Sequence, residues 1–260
     1  MVFCMENRRR RPPQPTGPAP LDVDRDAVNT IVEEIRARLA KAGRKDQADA
    51  LKRAYGDDVP CYGIKPADLH NIGMDYVRRL RSPGYSASLA VADDLFSTGN
   101  LEEGLIGAQL VGANARHIGG SDFERFDLWA AKLTNPQTAD ALGTQCISRA
   151  MSGKPSIALR LLEWAKSGSA PKRIAAVSSF SPLVREGRFM TDALTVAEPL
   201  MTDELEDVQN AVGTMLMEMT RLQAPRVVEF LGPWKGKGPK IIMELAATKL
   251  TGEDRAAVLA

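Results

Sequence analysis

Histidine is nearly absent: His70 and His117 are the only two in 260 residues. A His-rich zinc site or a Ser-His-Asp relay therefore has little to draw on. Cysteine is scarce as well. Cys4, Cys61 and Cys146 are odd in number, far apart and free of any CxxC spacing, so no disulfide framework is expected and a reducing, cytoplasmic compartment is. Aromatic residues make up only 5% of the chain, too few to favour a sandwich or barrel built on bulky strand formers. No apolar run approaches the roughly 18 residues that a membrane span needs. Alternating polar and apolar patterns and Asn-Gly or Asp-Gly turns are missing too, which removes the usual hairpin signals. The opening MVFCMENRRRRPPQ becomes charged after a short apolar stretch, so no secretory signal is expected.

What is present is charge in near balance and helical spacing. The net charge is +1, but it is unevenly spread. Residues 1–20 hold four Arg and one Glu, a net +3; residues 21–148 hold 15 basic and 19 acidic groups, a net −4; residues 149–260 hold 15 and 13, a net +2. A near-neutral body does not by itself mark a nucleic-acid binder. Residues 12–20, PPQPTGPAP, carry five prolines in nine positions beside the run Arg8 to Arg11. That composition suits an extended, disordered tail over 1–20 or an arm that follows a phosphate backbone, ahead of a single domain over 21–260.

From Leu21 onward the apolar residues recur with helical period. Val28, Ile31, Val32, Ile35 and Leu39 form one stripe, opposite Glu33, Glu34, Arg36 and Arg38. Start signals recur as Ser121-Asp122, Asn135-Pro136, Lys154-Pro155 and Thr202-Asp203. Predicted helix starts near Leu101, Pro136, Pro171, Glu204 and Pro239 are separated by 35, 35, 33 and 35 residues, with a second helix between each pair. A helix pair that repeats every ~35 residues predicts an all-α solenoid, an α-α superhelix of stacked antiparallel pairs. The TPR and ankyrin consensus residues are missing, and the looser HEAT-like or ARM-like pattern fits better.

Four segments exceed what packing needs. Tyr62-Gly63-Ile64-Lys65-Pro66-Ala67-Asp68-Leu69 resembles the YG(V/I)xxPxLR signature of the AlkD-like DNA glycosylases, the HEAT-repeat DNA alkylation repair family. Lys172-Arg173-Ile174-Ala175-Ala176-Val177 resembles that family's basic (Q/R)RxAI helix start. Val208 to Leu216, followed by Pro225, Val227-Val228 and Phe230-Leu231, is similar to its IxKAIGWxLR…PxxVxxFL block. Asn135-Pro136-Gln137-Thr138-Ala139-Asp140 stands where the family has NWDxxD. Order and spacing agree in all four, over about residues 46–250. The chain departs from the family at four of these positions: Pro136 and Thr214 replace two tryptophans that embrace the lesion's deoxyribose, Gln137 replaces an Asp, and Met217 replaces an Arg.

The resemblance implies a monomeric, metal-independent and cofactor-free enzyme that binds duplex DNA and releases cationic alkylated purines, with Asp140 as its catalytic residue. A ring-alkylated purine is already a good leaving group, so one carboxylate facing the oxocarbenium-like sugar is sufficient catalyst. Such an enzyme need not take the base into a deep pocket. Arg173 and Lys172, behind Pro171, work against the helix dipole, and a bound phosphate would explain them. Lys235, Lys237 and Lys240 lie in a Gly-rich loop that is not a P-loop, because GxxxxGK(S/T) is absent; a flexible basic loop suits backbone phosphates. His70 stands where the family often has Arg, and Tyr55 falls close to a tyrosine used near the lesion. If equivalent repeat positions point the same way, Asp140, Arg173 and the 235–240 loop border one concave surface. The alternatives are a non-catalytic HEAT-like module that binds DNA structures or protein partners, and a pure protein scaffold.

Overall fold

Four of the helices begin where the sequence supplies a side-chain acceptor. Asp24 accepts from the backbone N–H groups of Asp26 and Ala27 to open α1 (Arg25–Ala42). Asn100 accepts from Glu102 and Glu103 to open α5 (Leu101–Gly112). Asn135 accepts from Thr138 at α7 (Pro136–Ala141), and Ser169 accepts from Lys172 at α10 (Ala170–Ser178), each with a proline in the first turn. The computed structural model describes residues 17–259. The remaining helices are α2 (Lys45–Tyr55), α3 (Pro66–Arg79), α4 (Tyr85–Phe96), α6 (Phe123–Ala130), α8 (Ser148–Gly153), α9 (Ile157–Ala165), α11 (Ser181–Arg185), α12 (Met190–Ala197), α13 (Glu206–Leu231), α14 (Lys240–Ala246) and α15 (Gly252–Leu259). Among the described residues there is no strand.

The helices stack in two rows. In the front row α3 packs on α5, α5 on α7, α7 on α10, α10 on α13 and α13 on α14. The front-row starts Leu101, Pro136, Ala170, Glu206 and Lys240 keep the step predicted from sequence. Close approaches show that these helices run parallel. A Cβ on Gly104 would strike Thr138, one on Gly112 would strike Gln145, and one on Gly143 would strike Ala175. Residues one repeat apart therefore lie side by side, as a superhelix of stacked pairs requires.

The back row holds α1, α4, α6, α9 and α12. Trp129 of α6 stacks on Phe96 of α4 at 4.5 Å, and Phe123 of α6 stacks on Trp164 of α9 at 5.5 Å. Trp129 Nε1 donates to Asp93 at 2.8 Å, and the same carboxylate pairs with Arg125. Arg125 also donates to the carbonyl of Ala19 at 2.8 Å, so the chain joins the body slightly ahead of Leu21. Residues 1–16 of the expected tail lie outside the described residues.

Two features modify the repeat. The span α13 holds two helices that meet at a kink: the backbone leaves helical geometry at Gln223 (φ −140°, ψ 47°), two residues ahead of Pro225. Between α7 and α8 the backbone winds as a π-helix over Leu142–Ile147, which leaves one wide turn in the middle of the front row.

The Tyr62–Ile64 segment turns out to be a docking strap. Glu102 is fully buried at the start of α5, and its carboxylate accepts from the backbone N–H groups of Tyr62 (2.9 Å), Gly63 (2.8 Å) and Ile64 (3.1 Å). Gly63 has φ +79° and leaves no room for a side chain against Ala48 and Arg44, so glycine is required there. Beside it Glu103 accepts from the Tyr62 hydroxyl (2.8 Å), Arg36 (3.1 Å) and Thr98 (3.1 Å). Burial and the hydrogen bond to Glu103 push the Tyr62 phenol up to about 12. Glu102→Ala strands three buried backbone donors and should cost roughly 3–5 kcal/mol. Urea unfolding at neutral pH checks this; a loss no larger than that of a surface substitution would contradict the strap.

Candidate active site on the front face

Asp140 sits in the second turn of α7, just before the π segment. Its carbonyl accepts from the Thr144 hydroxyl at 2.8 Å, one turn on. Gly143 lets α7 approach α10 so closely that a Cβ there would lie 2.8 Å from the Ala175 carbonyl oxygen and 3.1 Å from Ser178 Cβ. That contact brings Ser178 of α10 against Asp140. The Asp140 side chain is open to solvent yet hemmed in by its neighbours. Desolvation raises its pKa above the ordinary carboxylate value, and the Ser178 side chain opposes the rise by hydrogen bonding to the charged form. Among the described residues no Lys or Arg pairs with it.

One turn back on α7, Gln137 lines a cavity of about 340 Å³ bounded by α2, α3, α5 and α7. Gln137 Nε2 donates to the Tyr55 hydroxyl at 2.7 Å. Tyr55 is thus brought to α7. His70 stands on the opposite wall, with its Nδ1 3.3 Å from Gln109 Nε2.

Lys172 and Arg173 are not brought to Asp140. Along α10, Arg173 lies five residues before Ser178, about 140° around the helix and ~7.5 Å away along it. Arg173 makes a two-pronged pair with Asp203, Nε–Oδ2 2.6 Å and Nη2–Oδ1 3.2 Å, and Nη1 donates to the Ser167 carbonyl at 2.9 Å. Both side chains of this pair are largely buried, 15% and 9% exposed. The anion expected at that helix start is therefore supplied by the chain itself, through Asp203. Lys172 pairs with Asp127 at 3.0 Å and lies 4.6 Å from the centre of the Trp164 ring, pointing to the back row. Lys235 and Lys237 are exposed in the loop before α14, and Lys240 opens that helix with a loose pair to Glu244 at 3.7 Å. Lys237 stands 5.9 Å from the half-buried ring of Trp234.

The family's tryptophan positions carry no aromatic ring: Pro136 is half-buried in the first turn of α7, and Thr214 is exposed on α13, one turn before the half-buried Met217. Trp129 and Trp164 belong to the back-row core. Ser178 and Asp203 were not legible as site residues, since each acts through a neighbour about one repeat away. The doublet of a polar cap followed by acids at 100–103 is the only local sign of the Glu102 strap. Among the described residues no group of three or more His, Cys, Asp or Glu could hold a metal, and no helix is long and apolar enough to cross a membrane.

A raised carboxyl pKa has a thermodynamic consequence. Between the unfolded and the folded pKa the native state holds the extra proton, so stability falls as pH rises through that window. Asp140→Asn should remove this slope. The variant should unfold at a higher urea midpoint than the wild type near pH 7, and the difference should shrink toward pH 3. An equal or lower midpoint at neutral pH would contradict the desolvated setting of Asp140.

The sequence model of the DNA alkylation repair enzyme family matches residues 35–250, from the middle of α1 to the end of the front row. No curated protein matches the chain. The match spans most of the chain and takes in the strap, α7 with Asp140, the start of α10 and α13. The chain belongs to the DNA alkylation repair enzyme family.

Proposed function

We propose that the protein is a DNA glycosylase that hydrolyses the N-glycosidic bond of cationic alkylated purines in duplex DNA. The observation that carries this reading is Asp140, a desolvated, solvent-open carboxylate on the front face with no cation paired to it. As the bond between C1′ and the purine nitrogen breaks, its electron pair leaves with the base, which becomes neutral. Positive charge passes to the sugar. An ionised Asp140 stabilises that charge and steers a water to C1′; the water adds and loses its proton. Charge developing beside Asp140 favours its ionised form at the moment it is needed, and Ser178 works in the same direction.

Phosphate contacts fall to the exposed Lys235, Lys237 and Lys240. Lys172 and Arg173 serve the fold through Asp127 and Asp203. Duplex affinity should drop steeply with added salt, and replacing the three loop lysines with alanine should weaken binding to all sequences alike and flatten the salt slope. Arg173→Ala should lower the unfolding midpoint and leave the salt slope unchanged. Fluorescence anisotropy with a duplex across a salt series reads both. Affinity that is absent at low salt, or indifferent to salt, would make DNA the wrong partner.

Asp140→Asn should cut release of alkylpurine from methylated duplex by about 100-fold or more, since the amide cannot offset a full positive charge, while duplex binding stays intact. Wild-type release should rise with pH and level off above a pKa higher than that of an ordinary carboxylate. Without rings at positions 136 and 214 the sugar cation loses the ~0.5–2 kcal/mol that each aromatic face can supply, so release should be slow and confined to the most labile lesions. Counting released bases from wild type and variant decides the matter: equal release would remove Asp140 from the chemistry, and none from either would favour a non-catalytic DNA-binding module.

A further inference from the structure

The front-row helices run parallel, so their ends gather along one edge of the stack, opposite the edge that holds the loop before α14. A basic residue stands at each end: Arg81 after α3, Arg116 after α5, Lys154 after α8, Arg188 after α11 and Arg221 just ahead of the kink in α13. They are 35, 38, 34 and 33 residues apart, close to the period of the repeat, and all five are exposed. Contacts between neighbouring ends set them in order along the edge. Tyr85, which follows the Arg81 loop, stacks on His117 with ring centres 6.0 Å apart. A Cβ on Gly120 would strike the side chain of Lys154, Arg188 donates to the Ser152 hydroxyl at 3.1 Å, and a Cβ on Gly187 would lie 3.6 Å from Leu222.

The helix dipole does not account for this row. A C-terminus favours a cation within its last turn, yet Arg116 and Arg188 lie four and three residues past the ends of α5 and α11. Internal pairing does not account for it either. Arg81, Arg116 and Lys154 form no ion pair among the described residues. Glu186 is shared between Arg188 (3.4 Å) and Arg149 (3.9 Å), and the buried Glu218 between Arg185 (2.9 Å) and Arg221 (3.6 Å). Asp122 is taken by the Tyr85 hydroxyl and the Gly119 N–H, while Asp192 at the start of α12 adds one exposed negative charge. The edge is left with a clear excess of cations.

Packed helices lie roughly 8–10 Å apart, so the five charges span roughly 35 Å in nearly even steps. A stiff duplex shows the same strand to any one side once per turn of roughly 34 Å, and meets such a row at few points. A flexible single strand can set a phosphate at every step. Flat faces stand between the charges: the exposed His117 lies on Tyr85, and the half-buried Phe189 ring is 5.5 Å from the Arg188 guanidinium. Cations interleaved with rings are what a single strand needs, phosphates on the first and bases stacked on the second.

We infer that this edge is a binding site for single-stranded nucleic acid. It stands apart from Asp140, because Lys154 lies fourteen residues further along the same run of helix, ~20 Å away. The site therefore does not depend on the glycosylase reading.

The test is fluorescence anisotropy of the full chain with a labelled oligo-dT of about 20 nucleotides, beside a labelled duplex. Oligo-dT should bind saturably, with an affinity that falls as salt is raised. Joint replacement of Arg116, Lys154 and Arg188 with alanine should weaken it about 10-fold or more and flatten its salt slope, while duplex affinity changes less than about 2-fold. Joint replacement of Lys235, Lys237 and Lys240 should do the reverse. His117→Ala, assayed in mildly alkaline buffer, keeps all five cations and should weaken oligo-dT about 5-fold at an unchanged salt slope; it keeps the test open if the triple variant fails to fold. Oligo-U in place of oligo-dT tells RNA from DNA as the source, and saturable binding of either upholds the site. No binding of either strand at low salt, or binding untouched by the triple variant and by His117→Ala, overturns it. Equal loss of strand and duplex in the triple variant makes the edge part of the duplex surface and overturns the single-strand assignment. Failure to release bases from alkylated duplex sinks the glycosylase reading and leaves each of these outcomes as it is.

Discussion

Two adjacent carboxylates taken out of water at the start of α5 hold the N-terminal half of the molecule together. Glu102 and Glu103 would be costly to bury alone, yet six donors converge on them from α1, the loop after α4 and the strap ahead of α3, and the helix start adds its own positive potential. Everything upstream of α5 takes its position from this point. The strap sets where α3 begins, Gly63 sets how closely it meets α2, and α2 carries Tyr55 to Gln137. The walls of the cavity thus rest on buried electrostatics as well as on the apolar packing of Ile64 and Leu69.

The same economy governs the basic residues. A chain of net charge +1 has few cations to spare, and the fold spends many internally. Arg125 is held by Asp93, Arg160 and Lys172 by Asp127, Arg173 by Asp203, and Arg185 by Glu218. The surplus that an anionic partner could use is what stays exposed and outside such pairs, Lys235 and Lys237 in the loop before α14 among it. A near-neutral total and a DNA-binding surface are compatible for this reason: the total counts charges, whereas a polyanion meets only those left exposed and unpaired.

Helix starts were legible because their signals are local. Asn135-Pro136 and Ser169 with Pro171 act within one turn, and the predicted and observed front-row starts differ by two residues at most. The repeat was legible because packing imposes it on apolar spacing. Asp140 was legible only through resemblance, since a lone Asp in a first or second turn is commonplace. What escaped was pairing across a repeat. Arg173 looks like a phosphate ligand from its own neighbourhood, and nothing near it points to Asp203, thirty residues on. Glu102 reads as an ordinary first-turn acid, because the strap it holds lies forty residues earlier. The cavity escaped for the same reason, as its walls come from α2, α3, α5 and α7. The π turn leaves no compositional mark, since Leu142 to Ile147 would wind equally well as α-helix.

That π turn carries one residue more than the repeat needs. A helix with such a surplus has slack: losing a single residue from 142–147 would convert the wide turn into an ordinary one and leave α8 in place against its neighbours. The rest of the front row has no such allowance, because one residue more or less turns every following side chain by about 100°. Length variation among relatives should therefore gather here, immediately after Asp140.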